Sequence, residues 1–272
     1  MTRGGEKPTP EARVFGRASS LTESEALMAL FQDMRPAREP FLNAPATVLW
    51  LIGVLLAAHV ARVLAPPPWP DTILLHYAFI PARYTGAALA NGLPASLFEQ
   101  IATFVTYMFL HGNFTHVGIN CLWLLAFGPI VARRLRPAKF LLFFLLCGVA
   151  AAATHLVVYW GAAEEVVGAS GAISGLMAAG MRILYGRLYP GGEVPSGQPF
   201  PLAPIYSRPI IGFTFVWVIV NIIGGISGLG LTDDATVVAW VAHLGGYFAG
   251  LFTIGLFDRS SLLDWTPKKR LT

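Results

Sequence analysis

Gly168-Ala169-Ser170-Gly171 stands at the head of the apolar run 172–185 and places a serine hydroxyl at the start of a predicted helix. A serine there can accept hydrogen bonds from the free N–H groups of the first helical turn, or it can act as a nucleophile. Small and hydroxylated residues are also ordinary packing residues between membrane helices, so these four residues alone favour a structural role. What decides between the two roles is whether other segments bring reaction partners to Ser170.

The composition indicates a protein that lies in a lipid bilayer. Of its 272 residues, 55% are hydrophobic and only 12% are charged, and the mean hydropathy is +0.59. A soluble domain has about 25% charged residues. Six apolar segments are predicted to span the membrane, namely 46–64, 115–131, 140–160, 171–185, 209–226 and 235–257. We therefore predict an all-α, polytopic membrane protein.

Basic residues predict the orientation of the chain in the membrane. They follow the second span, flank the connection between the fourth and fifth spans and end the chain, at Arg133, Arg134, Arg136, Lys139, Arg182, Arg187, Arg208, Lys268, Lys269 and Arg270. The positive-inside rule then places both termini in the cytoplasm and Ser170 towards the outer face of a cell (inner) membrane. Because the net charge of +4 resides mostly in these loops, no nucleic-acid partner is expected.

Three regions are predicted along the chain. Residues 1–40 form a cytoplasmic segment that is partly disordered, with an amphipathic helix predicted by the capping pattern Thr22-x-x-Glu25. Residues 41–258 form the membrane domain, and 259–272 form a basic cytoplasmic tail. No early apolar segment precedes the first span, so no cleavable signal peptide is expected.

The connection between the first and second spans is long and too apolar for an ordinary solvated loop. Short apolar stretches alternate with Pro81, Gly86, Gly92 and Pro94 over about 45 residues. Loops longer than about 15 residues in compact proteins are usually functional or disordered. We predict short helices that are partly embedded in the outer leaflet.

Few polar side chains interrupt the spans, and each is a candidate functional residue because burial in hydrocarbon is costly. They are His59, Arg62, His116, Asn120, His155, Ser170, Ser174, Asn221 and His243. Counting about 1.5 Å per residue from the cytoplasmic charges puts Ser170, His243, Asn120 and His116 roughly 18–26 Å up, within a core about 30 Å thick. These four side chains, from three helices, are therefore predicted to share one layer in the outer half of the membrane.

The positions of these residues on their helix faces also favour one shared site. His116 and Asn120 are four residues apart and project from the same side of their helix. Two rows of glycines at four-residue spacing lie on the fourth and sixth spans: Gly171 with Gly175, and Gly246 with Gly250. Ser170 precedes the first row and His243 precedes the second. Because such rows let helix backbones approach closely, they are predicted to bring Ser170 within hydrogen-bond reach of His243.

These residues supply the roles of an acyl-transfer site. His243 is the candidate base for Ser170, since an imidazole in an apolar site stays neutral near pH 7. The nearest carboxylate in the sequence, Asp234, lies roughly 13 Å away along a helix, which predicts a Ser-His dyad rather than a triad. Asn120, His116 and the backbone N–H of Ser170 are candidate donors to an oxyanion. No metal or cofactor is required.

Other residues match parts of this chemistry less well. Ser227, in Gly225-Ile226-Ser227-Gly228, follows a span instead of opening one. Ala172 breaks the Gly-x-Ser-x-Gly pattern of α/β-hydrolases. The cysteines, Cys121 and Cys147, lie within spans and are expected to pack there. The remaining polar residues of the spans are expected to make interhelical hydrogen bonds or to extend towards the membrane surface, and these are His59, Arg62, His155 and Asn221.

Three motifs stand in this chain: His111-Gly112-Asn113-Phe114-Thr115-His116 with Asn120, then Gly168-Ala169-Ser170-Gly171, and Ala242-His243-Leu244-Gly245-Gly246 with Gly250. Together they resemble those of the rhomboid intramembrane serine proteases. The resemblance covers residues 45–257 and implies a six-helix bundle with a long membrane-embedded first loop. It implies that Ser170 is the nucleophile and His243 the general base, that His116 and Asn120 form the oxyanion hole, and that His111 is structural. It also implies that the substrates are transmembrane segments of other proteins in the bilayer.

Two positions depart from the family pattern. Ala102-Thr103 stands where some members have Trp-Arg in the first loop, so the loop is expected to be anchored differently. Ser174 stands four residues after the nucleophile, where many members have Tyr or Phe beneath the histidine. The imidazole of His243 must therefore be held by some other group.

Two functions of other classes remain alternatives. A non-catalytic rhomboid-like protein would use the same groove to bind transmembrane helices. A small-molecule transporter would favour internal repeats and broken helices, which this sequence lacks. The physiological substrate, the cleavage position and the oligomeric state stay open at the level of the sequence.

Overall fold

A computed structural model describes residues 44–86, 88, 92–186, 200–227 and 240–258. The predicted N-terminal segment 1–40 with its helix after Thr22, the predicted tail 259–272 and the predicted start of the last span at residue 235 lie outside the described residues.

The described residues form eight α-helices, and these confirm the all-α fold class. They are α1 (Ala46–Leu64), α2 (Trp69–Tyr77), α3 (Leu97–Thr106), α4 (Phe114–Arg134), α5 (Pro137–Val158), α6 (Ser170–Gly186), α7 (Arg208–Ser227) and α8 (Trp240–Phe257). The six predicted spans correspond to α1 and α4–α8, and their described ends differ from the predicted ends by at most three residues. Two short 3-10 turns, Pro81–Tyr84 and Tyr107–Phe109, lie in the long first loop.

Five of these helices, α1, α4, α5, α7 and α8, are long and apolar enough to cross a membrane. The chain is therefore a multi-pass membrane protein. The sixth, α6, has 17 residues. At 1.5 Å per residue this gives about 25 Å, less than a hydrocarbon core of about 30 Å. Residues 171–181 of α6 are all buried, so the short helix lies in the interior of the bundle.

Close packing of α6 against α8 depends on the two predicted rows of glycines. A β-carbon on Gly246 would overlap the carbonyl oxygen of Gly171, and one on Gly250 would overlap the carbonyl oxygen of Gly175. In lipid, where apolar burial does not drive helices together, such backbone contact provides the dispersion energy of association. The glycines therefore fix the separation of the helices that carry Ser170 and His243.

Long basic side chains tie the helices together at the end opposite to Ser170 and His243. Arg134, at the end of α4, donates to both carboxylate oxygens of Asp258, Nε to Oδ1 at 3.1 Å and Nη2 to Oδ2 at 2.6 Å. Lys139 Nζ donates to the Phe257 carbonyl at 2.8 Å. Arg182 of α6 donates to the Leu251 carbonyl at 2.8 Å. These contacts hold the far end of α8 against α4, α5 and α6.

The first loop is folded around Arg83 and Tyr84. The Arg83 side chain, only 1% exposed, donates to the carbonyl oxygens of Pro94 and, at 2.6 Å, of Leu75. Tyr84 Oη lies 2.9 Å from Thr103 Oγ1, and Thr103 is itself fully buried. Thr103 thus stands at one of the two departures from the family pattern and is part of the anchor of the loop.

A capping box starts α3 within this loop. Ser96 accepts from the Glu99 N–H, and the Glu99 carboxylate accepts from the Ser96 N–H at 2.8 Å and lies 2.9 Å from His76 Nδ1. Hydrogen bonds from Ser96, and then the contact with His76, lower the pKa of Glu99. Because the pKa in the folded state is below the unfolded one, this stabilisation is present at neutral pH and is lost as the pH falls through the lowered pKa.

Replacing Arg83 with an apolar side chain is expected to loosen the first loop. Arg83→Met removes the donor to the carbonyl oxygens of Pro94 and Leu75, and the loss of charged hydrogen bonds costs about 1.5–3 kcal/mol. Thermal unfolding in detergent and limited proteolysis of the loop measure the effect. The exposed Arg136, at the start of α5, provides the control, and Arg136→Met should change stability by less than about 0.5 kcal/mol. Equal effects of the two variants would contradict the anchoring role.

Candidate active site

The segment before α6 is fixed against the first loop. Phe79 and Val166 form an antiparallel bridge, with N···O distances of 3.1 and 2.8 Å, and the Gly168 N–H donates to the Tyr107 carbonyl at 2.9 Å. Gly168 has φ +116°, a conformation that disfavours side chains. This turn delivers Ser170 as the first residue of α6.

Ser170 and His243 lie within hydrogen-bond distance of each other. Ser170 Oγ is 2.8 Å from His243 Nε2, and the imidazole belongs to the first turn of α8. Gly246 lies one turn below His243 on the face that touches α6. A hydroxyl and an imidazole nitrogen at this distance can transfer a proton directly.

The other ring nitrogen of His243 contacts a residue that the sequence analysis did not include in the site. His243 Nδ1 lies 3.0 Å from Asn221 Oδ1, on α7. Asn221 is only 7% exposed, and its Nδ2 donates to the Trp217 carbonyl at 2.9 Å. Counting from Arg208 would put Asn221 roughly 20 Å up the membrane, level with the other four residues. The same count of residues along the helix could therefore have identified Asn221 from the sequence.

His116 and Asn120 face the turn that carries Ser170. A β-carbon built on Gly168 would lie 2.7 Å from His116 Nε2 and 3.8 Å from Asn120 Nδ2. Asn113 caps α4 by accepting from the His116 N–H at 2.8 Å, and Asn120 Nδ2 donates to the His116 carbonyl at 2.9 Å. Both side chains are therefore adjacent to any group bound beside Gly168 and Ser170.

His111 lies behind this group of residues. It is fully buried, its ring centroid is 5.1 Å from that of His116, and its carbonyl oxygen accepts from Arg62 Nη2 at 2.8 Å. Arg62 thus ties α1 to the start of α4. The His59 ring packs edge-on against Phe114, with centroids 4.6 Å apart.

Within the described part of the chain, no group of three or more His, Cys, Asp or Glu side chains has a geometry that would hold a metal ion.

Ser174 does not take the place of an aromatic support for His243. Its Oγ donates to the Ser170 carbonyl at 2.8 Å, one turn back along α6. In the described ranges the nearby aromatic contacts of α8 involve Tyr247 and Phe248, whose rings stack with residues of α7 and α8. Ser227, the other candidate serine, is the last residue of α7 and so lacks a helix N-terminus.

A comparison with protein families places these residues in a known domain. The sequence model of the family described as Rhomboid domain matches residues 99–259, which is more than half of the chain. The match begins in α3 and ends just after α8, so it contains Ser170, His243, Asn221, Asn120, His116 and His111. A search of curated proteins found no match.

Proposed function

Because the chain belongs to the rhomboid family, we propose that it is an intramembrane serine endopeptidase that cleaves transmembrane segments of other membrane proteins. The observation that carries this proposal is the 2.8 Å contact between Ser170 Oγ and His243 Nε2. The two residues come from helices that the glycine rows hold in backbone contact. A nucleophile and its base in this geometry are what peptide hydrolysis requires.

In the proposed reaction, Ser170 Oγ attacks the carbonyl carbon of a peptide bond while His243 Nε2 accepts the hydroxyl proton. The tetrahedral intermediate collapses, the C–N bond breaks, and the imidazolium gives its proton to the departing amine. A water molecule then attacks the acyl-enzyme with His243 again as base, which releases the carboxylic acid and restores the Ser170 hydroxyl.

The negative charge on the intermediate requires donors near Gly168 and Ser170. The backbone N–H of Ser170 at the start of α6, Asn120 Nδ2 and a ring N–H of His116 are the donors in our proposal. Their support is the contact of His116 and Asn120 with the Gly168 turn. Preorganised donors in a site of low dielectric stabilise an oxyanion far better than water does.

Removing the Asn120 donor is expected to slow the chemical step. Asn120→Ala should lower kcat by about 10²–10³-fold with a smaller change in KM, because the lost hydrogen bond is made mainly in the transition state. Cleavage kinetics with a transmembrane test substrate in proteoliposomes measure both constants. Cys121→Ala, at the next position of α4, is the matched control and should keep kcat within a few-fold. A rise in KM at constant kcat would instead assign Asn120 to substrate binding.

We also propose that both termini face the cytoplasm. The support is the difference in charge between the two ends of the bundle, where the arginines at the end that carries Ser170, Arg62 and Arg83, are buried. Arg134, Lys139 and Arg182 lie at one end, whereas the exposed Glu164 and Glu165 lie at the other, next to the segment that leads to Ser170. Labelling of single cysteines placed at these ends in intact cells tests the orientation.

A fluorophosphonate probe tests the proposed function directly, because it reacts with a serine only when that serine is activated. The purified protein should be labelled, peptide mapping should locate the label on Ser170, and Ser170→Ala should abolish both labelling and cleavage. Ser227→Ala should leave both intact. Labelling of Ser227, or continued cleavage by Ser170→Ala, would reject the proposed site. Binding of a transmembrane helix without labelling or cleavage would favour a non-catalytic helix binder.

A further inference from the structure

Asn221 occupies the position relative to His243 that a third catalytic group would have. Its Oδ1 lies 3.0 Å from His243 Nδ1, on the opposite side of the imidazole from Ser170 Oγ, which is 2.8 Å from Nε2. Serine, histidine and asparagine thus form one continuous chain of hydrogen bonds across three helices, α6, α8 and α7. The family match alone does not assign a role to Asn221.

The orientation of the Asn221 amide follows from its second contact. Asn221 Nδ2 donates to the Trp217 carbonyl at 2.9 Å, one turn earlier on α7. A flipped amide would bring its oxygen against that carbonyl, and two acceptors would then face each other. The oxygen of Asn221 therefore points at His243, and this oxygen can only accept a hydrogen bond.

The tautomer of His243 follows from the amide orientation. Because Oδ1 of Asn221 accepts, Nδ1 of the neutral imidazole must carry the proton. Nε2 then has the free lone pair, and that lone pair faces the hydroxyl of Ser170. The opposite tautomer would donate from Nε2 to Ser170 and could not remove its proton.

No other described side chain holds the imidazole in this way. Ser174, which stands where many family members have an aromatic support, donates to the Ser170 carbonyl. The ring of Tyr247, one turn after His243 on α8, stacks against Trp217 and Phe213 instead. We propose that Asn221 is a positioning residue that fixes the ring orientation and the tautomer of His243, an inference that rests on the proposed protease function.

An amide in this place acts differently from a carboxylate. It orients the imidazole and accepts from it, but it adds no negative charge to a site inside the membrane, where an unpaired carboxylate is costly. The imidazolium formed during attack by Ser170 is stabilised by the neutral oxygen of Asn221, and a hydrogen bond to a charged group is stronger than one to a neutral group. In this arrangement Asn221 orients His243 by accepting a hydrogen bond and does not itself take up the proton.

Two substitutions separate positioning from packing. Asn221→Leu has nearly the same size, remains compatible with a membrane helix and removes the acceptor, so kcat should fall about 10- to 100-fold with little change in KM. Asn221→Asp keeps an acceptor beside Nδ1 and should recover most of kcat. Because its carboxylate favours the protonated imidazole, the acidic limb of the pH–rate profile should move to higher pH. Among the described residues, His116 is the titratable side chain that acts on His243, and it is the same in both variants.

The second polar contact between the same helices provides a matched control. Thr214 Oγ1 on α7 lies 2.9 Å from Tyr247 Oη on α8. Tyr247→Phe breaks this hydrogen bond without touching His243. It should therefore alter the thermal stability about as much as Asn221→Leu does, while kcat and the pH–rate profile stay as in the wild-type protein.

The outcomes distinguish this inference from the proposed function. Loss of kcat in Asn221→Leu, recovery with a shifted profile in Asn221→Asp and an unchanged profile in Tyr247→Phe support it. Wild-type kcat in Asn221→Leu overturns it, as does an equal loss of kcat in Asn221→Leu and Tyr247→Phe, or an unshifted profile in Asn221→Asp. In each of these cases fluorophosphonate labelling at Ser170 still tests the protease function separately, so the failure of one proposal is not read as failure of the other.

Discussion

A His243→Ala variant is expected to cleave a transmembrane test substrate at least about 10⁴-fold more slowly than the wild-type protein. The reason is the 2.8 Å contact between His243 Nε2 and Ser170 Oγ, because the imidazole is the proposed acceptor of the serine proton and the variant removes it. Initial rates of cleavage in proteoliposomes measure the loss. Thermal unfolding checks that the variant is folded. His76→Ala, on the partly exposed loop helix α2, is the control and should keep nearly full activity.

A variant that carries both Ser170→Ala and His243→Ala provides a second test of the dyad. Residues that act as one catalytic unit give losses that do not add, since removing either member already stops the shared step. Combining Ser170→Ala with His243→Ala should therefore cost no more activity than Ser170→Ala alone. If the two losses multiplied instead, the residues would act in separate steps, and the hydrogen bond between them would not be the catalytic contact.

The sequence predicted the helices, and it identified most residues of the candidate site, because hydrophobicity and depth are properties of a single segment. A long apolar run can only be a helix in lipid, since every backbone N–H and C=O must be satisfied within the segment. Counting residues from a charged end then predicted one shared level for Ser170, Asn120 and His243. The glycines at four-residue spacing further indicated which faces of α6 and α8 meet.

The contacts that the sequence left open depend on how helices are rotated about their axes and on long-range folding of the loop. Asn221 is one of few polar residues in a mostly apolar helix, and no repeating pattern on α7 shows that it faces His243. In the first loop, the carbonyl oxygens that Arg83 binds belong to Leu75 and Pro94, on either side of it in the sequence. Only the folded loop shows that Arg83 and Thr103 supply anchors at a place where the family pattern is broken.

Gly246→Ala is expected to reduce both stability and activity, although alanine is the better helix former. At an unhindered helix position the change from glycine to alanine stabilises by about 0.5–1 kcal/mol. At Gly246 the new β-carbon would overlap the carbonyl oxygen of Gly171, so α8 must move away from α6. Overpacking of this kind costs about 1–3 kcal/mol, which reverses the sign of the substitution.

Activity should fall further than stability indicates, because His243 is one turn from Gly246 on the same helix. A displacement of α8 by about 1 Å carries the imidazole away from Ser170, and misplacement of that size costs about 10²-fold in rate. Gly53→Ala, in α1, is the control, since a β-carbon there meets no atom within 4 Å. It should unfold at the same or a higher temperature and cleave normally. If Gly246→Ala behaved like Gly53→Ala in both assays, backbone contact between α6 and α8 would not be what sets the distance between the serine and the histidine.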